Sequence, residues 1–356
     1  MNLNQNLLML TIKSKDWIIA FGFIALTGCT SMQYTSLDVL KPAKVSFRNE
    51  ANNLLIANNS IVQPDKMGHK TQSFNDKEKS ITINTDSLSI YCLGALSQEL
   101  ETKNFFNTVQ LHAKSLNKTL NFNKIVPLKQ DSADSLCKTY NSNVLLTLDK
   151  IEVNDELNEL YSAENDDYLS SLEVKLKSFW SIQYPQSDQH TNITFNDTVY
   201  WQSNGATNTM ASFKLPKRQD ALVDAALIVG RKMTNRLIPY WEKADRYFII
   251  YPNKRLKQGM DSVYVKNWKA AIEIWETLLT KTKNGYLQAI AKNNLAICYE
   301  IDGNIEKAFD FASQAYYGYA KMEIVNYDEL SRVANYMNEL AIRKGDIDNL
   351  KKQLGK

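Results

Sequence analysis

Acidic side chains are concentrated in one short stretch of the chain, and carboxylates can bind cations or transfer protons. The stretch contains Asp155, Glu156, Glu159, Glu164, Asp166 and Asp167. A calcium-binding loop needs ligands at alternating positions and a glycine at its turn, and this stretch has neither arrangement. We therefore interpret it as a solvated loop, with cation binding as the less favoured alternative.

Seven aromatic side chains form a second group that could do chemistry, because exposed aromatic faces can stack on sugar rings. They are Trp180, Tyr184, Tyr200, Trp201, Trp241, Tyr247 and Tyr251. Most of them alternate along segments with the period of a strand, which is typical of sheet cores. Core and inter-domain packing is the favoured interpretation, and a sugar-binding platform is the alternative.

Recognisable catalytic motifs are absent from the sequence. It contains no P-loop, G-x-G-x-x-G, H-E-x-x-H, G-x-S-x-G or C-x-x-C segment. Three histidines, His69, His112 and His190, leave little material for a His-rich metal site. We predict no catalytic residue, no cofactor and no metal ion.

The composition excludes several classes of protein. The chain has 356 residues, of which 44% are hydrophobic and 23% charged, so it can bury a core and is not disordered throughout. The mean hydropathy of −0.38 excludes a polytopic membrane protein. The net charge of +3 argues against a broad basic face, so we expect no nucleic-acid partner.

An apolar run of nine residues, 18–26, follows Lys13 and Lys15 near the N-terminus. The run is too short to span a bilayer and has the charged and apolar regions of a secretory signal. It ends in the sequence L-T-G-C at Cys29, where small residues precede the cysteine. This arrangement resembles a bacterial lipobox; the alternatives are an ordinary signal peptide with a chance cysteine and a buried apolar strand.

The lipobox resemblance implies that residues 1–28 are removed as a signal peptide and that Cys29 carries the lipid. Several acyl chains would then hold the protein on a membrane without any spanning helix. The residues that follow Cys29 lack the aspartate of an inner-membrane retention signal. We therefore expect an outer-membrane lipoprotein that faces the periplasm.

Three further cysteines, Cys92, Cys137 and Cys298, remain after Cys29. Cys92 and Cys137 both lie on apolar stripes with helical spacing. We expect two buried thiols there rather than a disulfide, and no local group marks any of the three as a nucleophile.

The periodicity of residues 29–251 alternates between strands and helices. The predicted order is strand, helix, strand, helix, three strands and helix, over residues 54–57, 86–100, 108–111, 132–140, 144–148, 172–184, 193–201 and 220–238. This order predicts a two-layer α/β domain with a mixed sheet. It resembles the anticodon-binding-like α/β topology that occurs in periplasmic lipoproteins.

Residues 252–356 carry helical patterns alone, and one segment of them has a distinctive spacing. Leu295 is followed by an aromatic residue four positions later, then by Gly303 and, five positions after the glycine, by Ala308. The spacing resembles the tetratricopeptide repeat, in which small residues let two helices approach and a glycine ends the first helix. We predict tetratricopeptide-like hairpins, with a further, weaker hairpin turn at Gly345.

Helical hairpins of this kind stack and leave a concave groove for peptides. The resemblance implies that Asn293, Asn294 and Ile297 line the groove and that Asn294 binds peptide backbone. An ordinary solvated asparagine is the alternative, and the number of asparagines in this chain favours it.

The whole chain resembles an uncharacterised family of bacterial envelope lipoproteins with a tetratricopeptide-like C-terminal region. The first functional hypothesis is a lipid-anchored adaptor that binds envelope proteins or peptides through its helical repeats and catalyses no reaction. The alternative is an envelope glycan-binding protein or hydrolase that uses the aromatic and acidic residues of the α/β domain.

Overall fold

The structure, a computed structural model, describes residues 31–73, 77–119 and 121–355. Cys29 and the predicted signal peptide lie outside these residues.

The described elements are numbered in chain order. The strands are β1 (Ser31–Lys41), β2 (Asn53–Asn58), β3 (His69–Gln72), β4 (Lys79–Ser80), β5 (Thr108–His112), β6 (Val144–Ser162), β7 (Asp167–Tyr184), β8 (Ser187–Gly205) and β9 (Tyr240–Ile250). The helices are α1 (Leu88–Lys103), α2 (Gln130–Tyr140), α3 (Asn208–Phe213), α4 (Arg218–Leu237), α5 (Lys254–Tyr264), α6 (Trp268–Lys281), α7 (Gly285–Ile301), α8 (Ile305–Ala320) and α9 (Tyr327–Gln353).

Two compact units share the chain, and neither is continuous in sequence. The α/β unit consists of Pro42–Tyr240 with Lys351–Lys356, and the helical unit consists of Trp241–Leu350 with the segment that ends at Lys41. The predicted α/β range, 29–251, includes β1 and β9, and the predicted helical range is 252–356. In the structure, β1 and almost all of β9 belong to the helical unit. The difference arises because β1 pairs with β9, which leads directly into the helices.

The α/β unit is built on a mixed sheet, as predicted, and this sheet has seven strands, two more than the sequence predicts. Its main strand order is β4-β3-β6-β2-β5, and β7 pairs with β6 and with β8. Strand β2 is parallel to both β5 and β6, whereas β6, β7 and β8 form a long antiparallel meander.

Strand β2 is buried on both faces because its apolar residues are consecutive rather than alternating. Leu54 and Ile56 pack with α1 and α4, while Leu55 and Ala57 pack with α2 on the opposite face. The parallel part of the sheet is therefore covered by helices on both sides, as is usual for parallel strands. The prediction of two layers was wrong in this part of the unit.

The stretch that follows β2 has the polar composition typical of an exposed loop, but much of it is buried. Asn59, Ser60, Gln63 and His69 are all less than a twentieth exposed. Gln63 accepts a 2.8 Å hydrogen bond from the backbone N–H of Val153 and donates a 2.7 Å bond to its carbonyl. Polar side chains can be buried when they are hydrogen-bonded in this way, and composition alone does not show it.

The helical unit contains α5 to α9 and the two-stranded sheet of β1 and β9. Its core joins Phe248 of β9 to side chains from all five helices, including Trp275, Tyr319 and Tyr336. Gly303 has a φ of +82° between α7 and α8, which is the glycine turn expected there. A C-terminal helical region is thus present, in agreement with the sequence.

The predicted hairpin turn at Gly345 does not occur. Gly345 lies inside α9, which continues to Gln353. The glycine has no neighbour within 4 Å of the position that a Cβ would take, so nothing in its surroundings requires a turn. An isolated glycine costs a helix only about 1 kcal/mol, and the helix formers around it outweigh that cost.

Candidate functional site

The three residues predicted to line a peptide groove lie on α7, and all are buried. Asn293, Asn294 and Ile297 have at most 1% of their surface exposed. The alternative of a solvated asparagine is therefore wrong for this position. The prediction of an open groove at these residues also needs correction, because the chain itself covers them.

Asn294 binds the backbone of the chain's own strand β9. Its Oδ1 accepts a hydrogen bond from the N–H of Ile249, and its Nδ2 donates one to the carbonyl of Ile249, both at 2.9 Å. The neighbouring Asn293 donates a longer bond, 3.4 Å, to the carbonyl of Tyr247. Asn294, which was predicted to bind the backbone of a peptide, does bind an extended backbone, and that backbone belongs to β9 of the same chain.

A buried ionic network attaches the same strand to α7 and α9. Arg246 of β9 forms two hydrogen bonds with Glu300, of 2.7 and 3.0 Å. Glu300 also accepts bonds from Tyr336 at 2.8 Å and from Arg343 at 2.6 Å. The second carboxylate on Arg246 is that of Glu339, at 2.7 Å.

These contacts keep Glu300 ionised inside the protein. Burial opposes its charge, but the hydrogen bonds and the positive charge of Arg246, with help from Tyr336 and Arg343, hold the pKa of Glu300 below its ordinary value of 4.5. The pKa of Arg246 is raised: burial lowers it, and the bond to Glu300 outweighs that effect. The buried charges of this network therefore neutralise one another, as is usual for charges inside a protein.

A small cavity of about 150 Å³ lies beside this network, within the helical unit. Ile297, Tyr247 and Arg332 are among the residues that line it. The hydroxyl of Tyr247 has no hydrogen-bond partner among the described residues, and burial raises the pKa of Tyr247. At this cavity one of the predicted groove residues, Ile297, borders open space.

Three large apolar side chains are exposed at the end of α8, in the connection that follows and at the start of α9. Tyr317, Ile324 and Tyr327 are 59%, 90% and 78% exposed, and we call them the 317–327 patch. Tyrosine and isoleucine side chains are normally well covered in a folded unit, and clusters of exposed ones mark surfaces that contact other molecules. No motif in the sequence distinguishes these residues from buried apolar ones.

The acidic stretch is not a single loop. Asp155 and Glu159 lie in β6 and are buried, whereas Glu164 and Asp166 are exposed in the turn between β6 and β7. The interpretation as a solvated loop is thus correct for the turn and wrong for the strand. No group of three or more His, Cys, Asp or Glu side chains within the described residues is placed to hold a metal ion.

The two buried carboxylates of the acidic stretch each have their own partners. Asp155 contacts the imidazole of His69 and the guanidinium of Arg218. Glu159 accepts hydrogen bonds from Ser212 at 2.5 Å and from Asn208 at 2.8 Å. These side chains attach α3 and α4 to the sheet, so their arrangement is that of structural contacts.

Two carboxylates of the α/β unit do converge. Glu156 of β6 lies directly opposite Glu173 of β7, and both line a cavity of about 230 Å³ with Lys70 and Lys175. Lys175 forms a 2.8 Å ion pair with Glu173. Like charges at opposite positions of two strands repel each other, and the lysines offset that repulsion.

The aromatic residues do not form one platform. Trp180 is buried, and Trp201 and Tyr184 pack against the core of the α/β unit. Tyr200 is exposed in that unit, whereas the exposed Trp241 belongs to the helical unit. Core packing is therefore confirmed for Trp180, Trp201 and Tyr184.

Cys92, Cys137 and Cys298 are free and buried, and for Cys92 and Cys137 this confirms the prediction. Cys92 and Cys137 belong to core clusters on opposite faces of the sheet, which prevents a disulfide between them. Burial raises the pKa of Cys92 and of Cys298 to about 12. Such thiols are protonated at neutral pH and are poor nucleophiles.

Comparison with known proteins gives two family matches and distant structural ones. Residues 51–248, more than half of the chain, match the model of a domain of unknown function, DUF8603. Residues 257–342 match a second domain of unknown function, DUF6340. No curated protein matches the chain.

Two solved structures are similar at low identity. A protein from Xanthomonas campestris, described with the family model DUF330, has 13% sequence identity and a TM-score of 0.27, over 56% of this chain and 92% of that one. A second, described as an uncharacterized protein, has 11% identity and a TM-score of 0.21, over 52% and 90% of the two chains.

None of the helices in the described part of the chain has the length and apolar character needed to cross a membrane.

Proposed function

This chain belongs to the family of the domain of unknown function DUF8603, and we propose that it is a lipid-anchored adaptor of the bacterial cell envelope. In this proposal the helical unit binds other envelope proteins or peptides, and the protein itself catalyses no reaction. The observation that carries it is the 317–327 patch, whose three apolar side chains are exposed on a scaffold of helical hairpins.

The patch has the composition of a binding surface. Tyrosine is among the residues that contribute most to protein interfaces, and an isoleucine that is 90% exposed has almost no contacts of its own to lose. The side chains lie at the end of α8, in the loop that follows and at the start of α9. Ordered helices on both sides restrict the loop, which lowers the entropy lost on binding.

The proposal is tested by crosslinking in native membranes, followed by capture of the protein. A variant with Tyr317→Ser, Ile324→Ser and Tyr327→Ser should recover its partners at least about tenfold less than the wild type, as expected when interface anchors are removed. The matched control is Tyr264→Ser with Val265→Ser, which changes apolar side chains that are 56% and 74% exposed elsewhere on the helical unit. Equal recovery with both variants would contradict the proposal.

The lipid anchor is a separate part of the proposal. The L-T-G-C sequence that ends at Cys29 supports lipidation, and the absence of an aspartate after Cys29 supports the outer membrane, on its periplasmic face. Labelling with palmitate should mark the wild type and leave Cys29→Ala unlabelled. Cys29→Ala should also leave the outer-membrane fraction, and its retention there would contradict a lipid anchor.

We further propose finer relationships for the two folds. A degenerate tetratricopeptide origin of α6 to α8 is supported by the positive φ of Gly303, by the buried Ala271 and Ala308, and by the stacking of Tyr299 on Phe311, with ring centroids 5.5 Å apart. The parallel β2, β5 and β6 with α1 and α2 between them support the anticodon-binding-like topology of the α/β unit.

A second candidate function, glycan binding or hydrolysis, is favoured by the cavity with Glu156 and Glu173. Paired carboxylates can accept sugar hydroxyls, and in glycosidases they act as acid and base. Binding of soluble peptidoglycan fragments to the wild type, lost in Glu156→Gln with Glu173→Gln, would support this function. Absence of binding by the wild type would eliminate it.

A further inference from the structure

A cavity of about 180 Å³ lies in the α/β unit, on the face of the sheet that α2 covers. Gln183 of β7 lines this cavity and pairs with Leu145 of β6, which belongs to the core cluster that packs with α2. Side chains of directly opposite strand residues lie on the same face of a sheet, which places the cavity on that face. It shares no lining residue with the cavity that contains Glu156 and Glu173.

The side chain of Gln183 has an acceptor that the protein does not use. Gln183 is 5% exposed, and its Nε2 donates a 3.0 Å hydrogen bond to the carbonyl of Leu128, which also lines the cavity. That bond fixes the orientation of the amide, because a carbonyl can accept only from the nitrogen end. The Oε1 atom of Gln183 has no hydrogen-bond partner among the described residues. A buried acceptor is costly to leave unpaired, so a ligand that donates to Oε1 would gain affinity.

Two further acceptors of the lining are unused. Gln130 donates from its Nε2 to Asp134 at 2.7 Å and to the carbonyl of Tyr184 at 3.0 Å, which occupies both hydrogens. Its Oε1 accepts no hydrogen bond from residues 31–73, 77–119 or 121–355. The carboxylate of Asp188 is exposed and has no hydrogen-bond or ion-pair partner in the same ranges. The lining therefore offers acceptors to which a ligand can donate.

Carboxylates also make the surroundings of this cavity negative. Asp188 lines it, and Asp134 and Asp149 are each bonded to a lining residue. Asp149 is 3% exposed and accepts a hydrogen bond from the hydroxyl of Ser181 in the cavity wall. Burial raises the pKa of Asp149, and its hydrogen bonds and the nearby His190 offset only part of that effect. Electrostatics at this place therefore favour a cation.

We propose that this cavity is a binding site for a small organic cation, a primary ammonium group on a short carbon chain. An ammonium group has three donors and no acceptor, which matches the unused acceptors of Gln130, Gln183 and Asp188. Pro127 and Leu128 in the lining provide apolar surface for the carbon chain. This inference goes beyond the adaptor function and does not depend on it.

The compounds n-butylammonium and 1-butanol test the site, because they share a carbon chain and differ in charge and in the number of donors. Ligand-observed NMR titrations with the full-length protein in detergent measure both dissociation constants. We expect n-butylammonium to bind at least about tenfold more tightly than 1-butanol, since charge-assisted hydrogen bonds are roughly twice as strong as neutral ones. Undetectable binding of n-butylammonium, or binding no tighter than that of 1-butanol, would overturn the proposal.

Substitutions in the lining test whether the cation binds in this cavity. Asp188→Asn removes the charge of an exposed side chain and keeps its shape, so it should raise the dissociation constant of n-butylammonium at least about threefold. The matched control is Asp224→Asn, at an exposed position of α4 on the other face of the sheet, which should leave that constant unchanged.

A second variant, Gln183→Leu, removes the unused buried acceptor and should weaken binding of n-butylammonium at least about tenfold. Thermal unfolding of each variant identifies any loss of folding, and Asp188→Asn keeps the test valid if Gln183→Leu does not fold. An unchanged dissociation constant in either folded variant, or an equal increase in Asp224→Asn, would show that the cation binds elsewhere and would overturn the proposal.

Discussion

The side-chain amide of Asn294 forms two hydrogen bonds with the backbone of Ile249, one as acceptor and one as donor, each 2.9 Å long. The two residues are 0% and 3% exposed, so water cannot replace these bonds. The asparagine thus acts as a substitute for a neighbouring strand along one edge of β9. Strand β9 therefore occupies the side of α7 that was predicted to bind a peptide.

Replacing Asn294 by alanine should loosen β9. The change leaves the buried N–H and C=O of Ile249 unpaired, which costs about 1–3 kcal/mol for each group. Hydrogen exchange measured by mass spectrometry should show faster exchange in residues 240–250. Asn293→Ala is the comparison variant: it removes a 3.4 Å bond to the carbonyl of Tyr247 and a 3.3 Å bond to Oδ1 of Asn294, keeps both groups that bind Ile249, and should have a smaller effect. Equally fast exchange in the two variants would show that loss of the Ile249 hydrogen bonds is not what loosens β9.

The helical unit should lose stability in acid because of Glu300. The pKa of Glu300 is lower in the folded protein than its ordinary value of 4.5, so the folded state binds fewer protons than the unfolded state. The stabilisation is present above about pH 4.5 and is lost as the pH falls through the lower, folded pKa. Urea unfolding between pH 3 and 6 should show this loss.

Two variants separate Glu300 from other carboxylates. Glu300→Gln should reduce the pH dependence and destabilise the unit by about 3–5 kcal/mol at neutral pH, because Arg246 loses its buried counter-ion. Glu306→Gln changes a carboxylate of the same unit that is 62% exposed and pairs with Lys344. It should leave the pH profile unchanged, and a profile that Glu306→Gln alters as much as Glu300→Gln would contradict the assignment.

Gly230 should be sensitive to the addition of a single methyl group. A Cβ at this position of α4 would overlap the carbonyl oxygen of Cys92 in α1 and lie 3.0 Å from the Cβ of Ala95. Gly230→Ala should therefore lower the unfolding free energy of the α/β unit by about 1–3 kcal/mol, because the helices must separate. Gly94 of α1 has nothing within 4 Å, and Gly94→Ala should stabilise the helix by about 1 kcal/mol. Urea denaturation of both variants measures the difference, and a stable Gly230→Ala would refute the close contact.

Gln353 should be needed to fix the first segment of the α/β unit. Its Oε1 accepts a 2.9 Å bond from the N–H of Ala43, and its Nε2 donates to the carbonyls of Ala43 and Val45 at 3.0 and 3.2 Å. Gln353→Ala should speed hydrogen exchange at Ala43 by about tenfold, which corresponds to the loss of one or two net hydrogen bonds. Lys352→Ala, at an exposed neighbouring position, should have no effect on exchange. Unchanged exchange in Gln353→Ala would show that other contacts hold this segment.

Local patterns were sufficient to predict most elements of the α/β unit. The helix with Leu88, Cys92 and Leu96 on one face is α1, and the apolar run from Val144 is the start of β6. Both elements have a periodicity that depends only on neighbouring residues. Their burial in one core then follows from the apolar face of the helix and the continuous apolar strand.

The strands β1 and β9 could not be predicted in the same way. Strand β9 carries the buried charge of Arg246, which interrupts its apolar pattern, and the partner of that charge is Glu300 on a distant helix. The sequence likewise predicts only part of the role of Asn294. Its side chain has the chemistry to hold an extended backbone, but the sequence does not show which backbone it holds.

The order in which the chain is made has a consequence for how the helical unit folds. Strand β1 is synthesised before its partner β9, and residues 42–239 lie between them. Closing such a long loop is slow, because its entropy must be lost before the pairing contributes any stability. During synthesis β1 therefore cannot pair with β9 until residue 250 has been made, and Gln353 cannot bind Ala43 until nearly the whole chain has been made. Folding of the nascent chain should be governed by these two late contacts between residues that are far apart in sequence.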